Sequence, residues 1–265
     1  LSAPLYEQRD QPEGVPPLAL TGERTLPDVP EENYWYRRHL AVYEWIAQRV
    51  AGERVIDMAC GEGYGSDVLA RSAASVVGVD ANPEAHEHAR LRYATPTGPG
   101  HTRSNLRFAR ELVETFAEPA DAVVFLQTIE HVQNPTDVLA HFRSLVGGEG
   151  AAYVSTPNVL TLAPKGAKRS DNPWHVHEYE ADEFEMLCRG VFSRVELYGL
   201  FHARKLRAHE FALKLGWDAV HPRLRLTKAF YGWFTPAIAA SDFALRPAAE
   251  ADLDGALDFL AVCRP

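Results

Sequence analysis

VIDMACGEGYGSDVLARSAASVVGVD, residues 55–80, is the stretch that decides the fold. The apolar run Val55-Ile56-Asp57-Met58-Ala59 enters a turn with glycines at 61, 63 and 65, and a helical spacing of apolar residues (Val68, Leu69, Ala73) follows at once. Glycine lets backbone approach a ligand closely. A second short apolar strand, Val76-Val77-Gly78-Val79, delivers Asp80 nineteen positions after Gly61, where an acid can accept hydrogen bonds from a ribose diol. The order strand, glycine turn, helix, strand, acid predicts a nucleoside site on a parallel α/β sheet.

The dinucleotide fingerprint requires G-x-G-x-x-G with a helix N-terminus aimed at pyrophosphate. Here the turn reads Asp57-x-x-Cys60-Gly61-x-Gly63-x-Gly65, with an acid just ahead of it. A carboxylate in that place repels phosphate. It suits a ligand with a positive amino group and no phosphate, which describes the methionine end of S-adenosylmethionine.

The segment from about Arg54 to Asn158 resembles a class I S-adenosylmethionine-dependent methyltransferase. Asp57, Gly61, Gly63 and Gly65 match that family's first motif, and Asp80, followed by Ala81 and Asn82, matches its ribose-binding acid. The run AVVFLQTIEHV from Ala122 to Val132 matches the fourth strand and the segment after it, and GGEGAAYVSTPN the fifth. The resemblance implies S-adenosylmethionine as cofactor, contacted by Asp57, Ala59, Gly61, Gly63, Asp80, Ala81 and Gln127, with Glu111 the nearest acid to adenine. It also implies a Rossmann-like α/β fold: a seven-stranded sheet with helices on both faces, an N-terminal helical lid, and a helical insertion before the last strand.

Composition sets the outer bounds. A chain of 265 residues can bury one full α/β core. No apolar run approaches the ~20 residues a membrane span needs, and the first residues lack the pattern of a signal peptide, so the expectation is a cytoplasmic protein without membrane contact. Cys60, Cys188 and Cys263 are widely spaced, which points to reduced thiols. A net charge of −9 argues against nucleic acid as a partner. The basic groups Lys165, Lys168, Arg169 and Arg204 to Lys228 read as solvated helical faces.

Residues 1–50 read as a proline-rich arm followed by a lid helix opening at Glu31-Glu32-Asn33. That helix, ENYWYRRH, either places Tyr34 and Arg38 over the methionine carboxylate or packs Trp35 and Tyr36 into the core. Residues 51–202 form the cofactor-binding core, with right-handed crossovers putting the cofactor at the strands' carboxyl ends. Residues 203–250 form the helical cap, for which a homodimer role stays open, and residues 251–265 carry the final strand, Ala256 to Cys263. The polar stretch from Thr156 to Glu180 is long for a connector and reads as a functional lid.

Methyl transfer is an in-line displacement that needs a positioned nucleophile and a proton acceptor. His131, directly after the fourth strand, is the first candidate base, and His175 and His177 in the lid are the alternatives. Gln127-x-x-Glu130-His131 resembles the Glu-x-x-Glu-His segment of ubiquinone-biosynthesis O-methyltransferases, which implies an optional Mg²⁺ on Glu130 and His131; otherwise Glu130 orients the histidine or caps a backbone turn. TGERTLP, ENYWYRRH, STPN, DNPWHVHE, LFHARKLR and DLDGALDFLAV are similar to actinobacterial methyltransferases of polymethylated polysaccharides, the methylmannose and methylglucose types. That likeness implies a hydroxyl of a sugar or short oligosaccharide as acceptor, with Trp174, Tyr179, Phe201 and Trp217 either stacking on sugar rings or packed in the core. A quinone precursor or other small metabolite is the rival acceptor, and a partner subunit that binds cofactor without catalysis is the rival class.

Overall fold

The computed structural model describes residues 12–20, 24–27, 29–94, 104–164 and 166–265. Lys165, the first residues of TGERTLP and the start of the proline-rich arm lie outside them. A turn of 3₁₀ helix, Pro30–Glu32, leads into α1 (Asn33–Ala47). Then follow β1 (Arg54–Met58), α2 (Tyr64–Leu69), β2 (Ser75–Val79), α3 (Pro83–Ala89), β3 (Leu106–Ala109) and β4 (Ala122–Leu126). The second half runs α4 (Pro135–Val146), β5 (Ala151–Pro157), the single turn α5 (Val159–Leu162), α6 (Ala181–Arg189) and β6 (Arg194–His202). A cap of three short helices, α7 (Arg204–Lys214), α8 (Trp217–Arg223) and α9 (Thr227–Phe234), precedes β7 (Phe243–Pro247) and β8 (Asp258–Arg264).

These strands form one mixed sheet in the order β3-β2-β1-β4-β5-β8-β6-β7. The five strands from β3 to β5 are parallel, and β8 runs antiparallel between β5 and β6. The strand order reverses between β1 and β4, which opens a crevice at their carboxyl ends. The sheet has eight strands where the sequence predicts seven. The extra strand is β7, which pairs with β6 at the sheet edge. It also corrects the expected cap: helix ends at Phe234, and the remainder of 203–250 contributes the edge strand.

Successive residues of one strand enter two different cores. Val55, Val76, Val124 and Leu260 pack with α1, α2 and the cap, whereas Ile56, Val77, Phe125 and Phe259 pack with α4 and α6. A strand covered on both faces has no polar side, so the sequence shows continuous apolar runs rather than alternation. Helix α2 lies so close to α1 that a Cβ on Gly65 would fall within the Tyr43 ring. Gly63, with φ of 97°, starts α2 in a left-handed conformation, and a Cβ there would lie 2.7 Å from that of Ala89. No helix among the described residues is long and apolar enough to cross a membrane.

Gly65→Ala is expected to cost about 1–3 kcal/mol by overpacking Tyr43. Gly148→Ala, where an added Cβ meets nothing within 4 Å, is the control. Thermal denaturation should show the first variant melting several degrees below the second; equal midpoints would refute the packing role.

Candidate active site

A cavity of about 710 Å³ opens over the carboxyl ends of the central strands. Where β1 and β4 end, Ala59 and Gln127 both hold positive φ, 55° and 51°, without being glycine. Strained backbone of this kind costs free energy and persists where neighbours over-determine it. Here the Gln127 amide N–H donates to the Ser155 carbonyl at 3.1 Å, and the Cys60 N–H to that of Val79 at 3.0 Å. Ala59, Gly61 and Gln127 line the cavity with Asp80 and Ala81 from the end of β2.

Asp80 joins the two halves of this wall. One carboxylate oxygen accepts the Gly61 N–H at 2.9 Å and the other accepts the Asn82 N–H at 2.9 Å. Asn82 in turn caps α3 by accepting from the N–H groups of Glu84 and Ala85. The acid at the end of β2 therefore fixes the glycine turn's backbone as well as facing the cavity.

Two residues of the first motif sit elsewhere than expected. Asp57 is fully buried beneath the turn and does not reach the cavity wall; it accepts hydrogen bonds from Ser66 Oγ at 2.6 Å and the Tyr43 hydroxyl at 3.2 Å. Burial, with the Asp80 charge adding to it, pushes its carboxyl up to about 7 despite those two donors. Gly63 also stays off the wall, its role being the close approach to Ala89. Between the glycines, Glu62 is buried and holds a polar network: His88 Nε2 lies 3.0 Å away, the Tyr93 hydroxyl donates at 2.8 Å, and Arg92 stands at 3.2 Å.

The 3₁₀ turn and α1 form the opposite wall, with Glu32 from the turn and Trp35 and Arg38 from the helix. Arg38 is buried and forked onto Asp258, Nε donating at 2.7 Å, while a terminal nitrogen also donates to the Leu257 carbonyl at 2.7 Å. This pair locks α1 to the start of β8. Tyr34 points away from the cavity: its hydroxyl meets His202 Nε2 at 2.8 Å and its ring packs edge-on to Phe243. The sequence offered cleft cover or core packing for this helix, and the structure divides the two between its faces.

Glu130, His131 and His175 gather at the far end, each offering a ligand atom within 4.8 Å of the others. Burial lifts the Glu130 carboxyl to about 8 although it accepts from Thr156 Oγ1 at 3.1 Å. His131 Nδ1 lies 3.0 Å from the Trp174 carbonyl oxygen. A carbonyl can only accept, so this contact places the proton on Nδ1 and the lone pair of the neutral ring on Nε2. His175 is committed on both nitrogens, with Glu178 2.6 Å from Nδ1 and Asn172 Nδ2 3.0 Å from Nε2. The lid is sewn to the fourth-strand segment through the Glu130 carbonyl, which accepts from the N–H groups of Val176 and His177.

Several expected contributors lie outside this assembly. His177 is half exposed and pairs with Glu183 at 2.7 Å. Glu111 is exposed, and its neighbours Leu112, Val113 and Glu114 line a side pocket with Ala59, Asp80 and Ala81. None of Trp174, Tyr179, Phe201 and Trp217 lines the main cavity; Tyr179 packs on Phe184 and Trp217 belongs to the cap. The sequence reading missed Arg24, Thr25, Glu32, Cys60 and Asn172, all on the cavity wall. All five stood inside quoted motifs, Cys60 in the glycine turn and Asn172 in the lid. Arg24 and Thr25 depend on the arm folding back, seen in Thr25 Oγ1 bonded to the Tyr64 hydroxyl at 2.9 Å, and no local pattern announces that.

Residues 34–210 match a family model described as a methyltransferase domain. A probable S-adenosylmethionine-dependent methyltransferase of Mycolicibacterium smegmatis is 37% identical over 92% of this chain and 94% of its own length. A ubiquinone biosynthesis O-methyltransferase of Albidiferax ferrireducens is 33% identical over 56% of this chain and 63% of its own. Among solved structures, a SAM-dependent methyltransferase of Thermotoga maritima matches with a TM-score of 0.56 at 14% identity, covering 89% of this chain and 96% of that one. At that identity the likeness speaks for the fold alone.

Because burial raises the folded-state value of Asp57 above its ordinary 3.8 to about 7, the native state holds that proton more tightly than the unfolded chain. Its contribution is full below about pH 4 and is lost as pH rises through about 7, with a ceiling of about 4 kcal/mol. Asp57→Asn, which mimics the protonated form, should therefore show a shallower fall in melting temperature between about pH 4.5 and 7.5 than the unsubstituted protein. Parallel pH profiles would rule this out.

Proposed function

The chain belongs to the class I S-adenosylmethionine-dependent methyltransferases and is an enzyme of the transferase class, and from that premise we propose that it methylates a hydroxyl of a sugar or short oligosaccharide, of the kind found in polymethylated polysaccharides. The observation that carries this reading is the set of polar side chains on the cavity wall: Glu32, Glu130, His131, Asn172 and His175 line it, beside Trp35, Leu126, Pro157 and Leu162. A quinone precursor carries an apolar tail that calls for a greasier lid. The ubiquinone-biosynthesis relative keeps an O-methylated small metabolite as the second reading.

In this reading the Gly61 turn, Ala59, Asp80, Ala81 and Gln127 hold the cofactor, which supplies an electrophilic methyl on a sulfonium centre. A carboxylate has about four acceptor sites, so Asp80 keeps two for the ribose diol after receiving Gly61 and Asn82. Leu112 and Val113 offer the adenine an apolar wall, and Glu114 rather than Glu111 is the nearby acid on that pocket. His131 takes the acceptor's proton on Nε2, and the Trp174 carbonyl holds the ring in that tautomer. Glu130 with a value near 8 is mainly protonated at neutral pH and donates to an acceptor oxygen rather than competing for its proton. His175, kept by Glu178, shapes the subsite.

The triad of Glu130, His131 and His175 also fits a divalent cation. Two imidazoles and one carboxylate suit a first-row ion such as Fe²⁺ or Zn²⁺ better than Mg²⁺, which prefers oxygen donors. When bound there, such an ion supplies Lewis acidity that lowers the pKa of an acceptor hydroxyl.

Incubation with labelled S-adenosylmethionine and a panel of mannosides, glucosides and quinone precursors should give labelled sugar; label only in the quinone precursor would replace this reading with the second. Asp80→Ala should weaken S-adenosylhomocysteine binding by about 1.5–3 kcal/mol in calorimetry, and unchanged affinity would contradict the ribose contact. His131→Ala is expected to lower kcat by about 10²–10⁴ with cofactor affinity preserved. Full turnover would move the base elsewhere.

A further inference from the structure

We propose that the outer face of the α7–α9 cap docks the enzyme on an anionic lipid surface. The cap is built in two layers. Its inner layer is a closed aromatic core in which Phe230 stacks on Phe234 at 5.2 Å and His209 on Phe230 at 5.8 Å, with Leu206 and Phe234 buried against the main body. Asn33 ties the end of the cap to α1 by donating to the carbonyls of Thr235 at 2.8 Å and Ile238 at 3.0 Å. The fold is thus satisfied without the outer layer.

That outer layer exposes Phe211, Leu215, Val220, Leu224, Leu226 and Trp233, at 41–73% of their full accessible surface. They are six of the twelve large apolar side chains exposed among the described residues, concentrated in less than a tenth of the chain. Single exposed apolar residues are ordinary, but a cluster marks an interaction surface. Arg207 and Lys214 flank Phe211 and Leu215, while Arg223, Arg225 and Lys228 surround Leu224 and Leu226, and all five are exposed. Between Arg204 and Thr235 seven lysines and arginines stand against two acids, in a chain whose net charge is −9.

Charge identifies the occupant. A second copy of the cap would bring the same positive surface and repel it, whereas an anionic lipid leaflet attracts the basic residues and receives the apolar tips between them. The reading of these segments as solvated basic faces accounts for the lysines and arginines but leaves the leucines and Trp233 in water. The contact proposed is one of surface side chains; no helix among the described residues is long and apolar enough to cross a membrane. Because the cap joins α1 at Asn33, two residues before the cavity residue Trp35, docking would hold the cavity near the lipid surface. The inference does not rest on the acceptor being a sugar.

The test is flotation of the full chain with vesicles of phosphatidylglycerol and phosphatidylcholine, or of phosphatidylcholine alone, at low and high salt. Binding is expected only to the anionic vesicles and should be lost at high salt. The double variant R223E/R225E should lower the bound fraction about tenfold or more, and Trp233→Ala should lower it as well, both with S-adenosylhomocysteine affinity and melting temperature unchanged. No flotation with anionic vesicles at low salt would overturn the proposal, as would undiminished binding of R223E/R225E. So would sedimentation showing a dimer that Trp233→Asp dissociates, because the face would then be a subunit interface.

Discussion

Four carboxylates, Asp57, Asp80, Glu130 and Asp258, converge at the carboxyl edge of one sheet, and the surrounding architecture is organised by the need to keep them there. Each is balanced differently. Asp258 has the buried Arg38, Asp80 has two backbone N–H groups, and Asp57 and Glu130 have hydroxyl donors together with raised pKa values near 7 and 8. Buried charge that is not fully paired either takes up a proton or attracts a cation. Of the four, Asp80 stands on the cavity wall held only by backbone N–H groups, and a carboxylate there disfavours phosphate and favours a ligand that carries a sulfonium and an ammonium.

The scaffold turns that electrostatic preference into geometry. Ala59 and Gln127 bend the chain at the ends of two adjacent strands, and each bend is held by the neighbouring strand end, Val79 or Ser155. The same economy recurs in the lid, where a single carbonyl, that of Glu130, anchors two lid N–H groups. Lid position is therefore coupled to the strand end that bears Glu130 and His131. The Arg38–Asp258 pair couples α1 to β8 in the same way, so both walls are referred to the sheet rather than to each other.

The order of elements was legible because its signals are local. The glycine turn, the acid at the end of β2 and the opening of α1 after Glu31-Glu32 all follow from residues within a few positions of one another. Asp80 and Ala81 could be placed on the cavity for that reason. What was misread depends on orientation or long-range contact. Spacing does not say that Asp57 points below its turn while Ala59 points above it, nor that Tyr34 reaches His202, 168 residues away. His177 looked equivalent to His175 in DNPWHVHE, yet Glu183, one turn into α6, draws it outward. The edge strand β7 begins after a helical cap and ends at a proline, so FALRP carries no alternation strong enough to declare it.

The acceptor side poses a choice that the geometry sharpens. A histidine that acts as base needs its Nε2 lone pair for the acceptor's proton, and a cation on the same triad would take that lone pair as a ligand. His131 cannot serve both roles in one turnover. His175 adds a second constraint, because Asn172 already meets its Nε2 and would have to yield before a metal could coordinate there. The base reading requires no rearrangement of these contacts, whereas the metal reading requires Asn172 to move and with it the N-terminal side of Trp174, whose N–H donates to Asn172 Oδ1 at 3.0 Å. Since the Trp174 carbonyl is what sets the His131 tautomer, a metal would disturb the element that prepares the base. The two chemistries are alternatives written on the same three side chains.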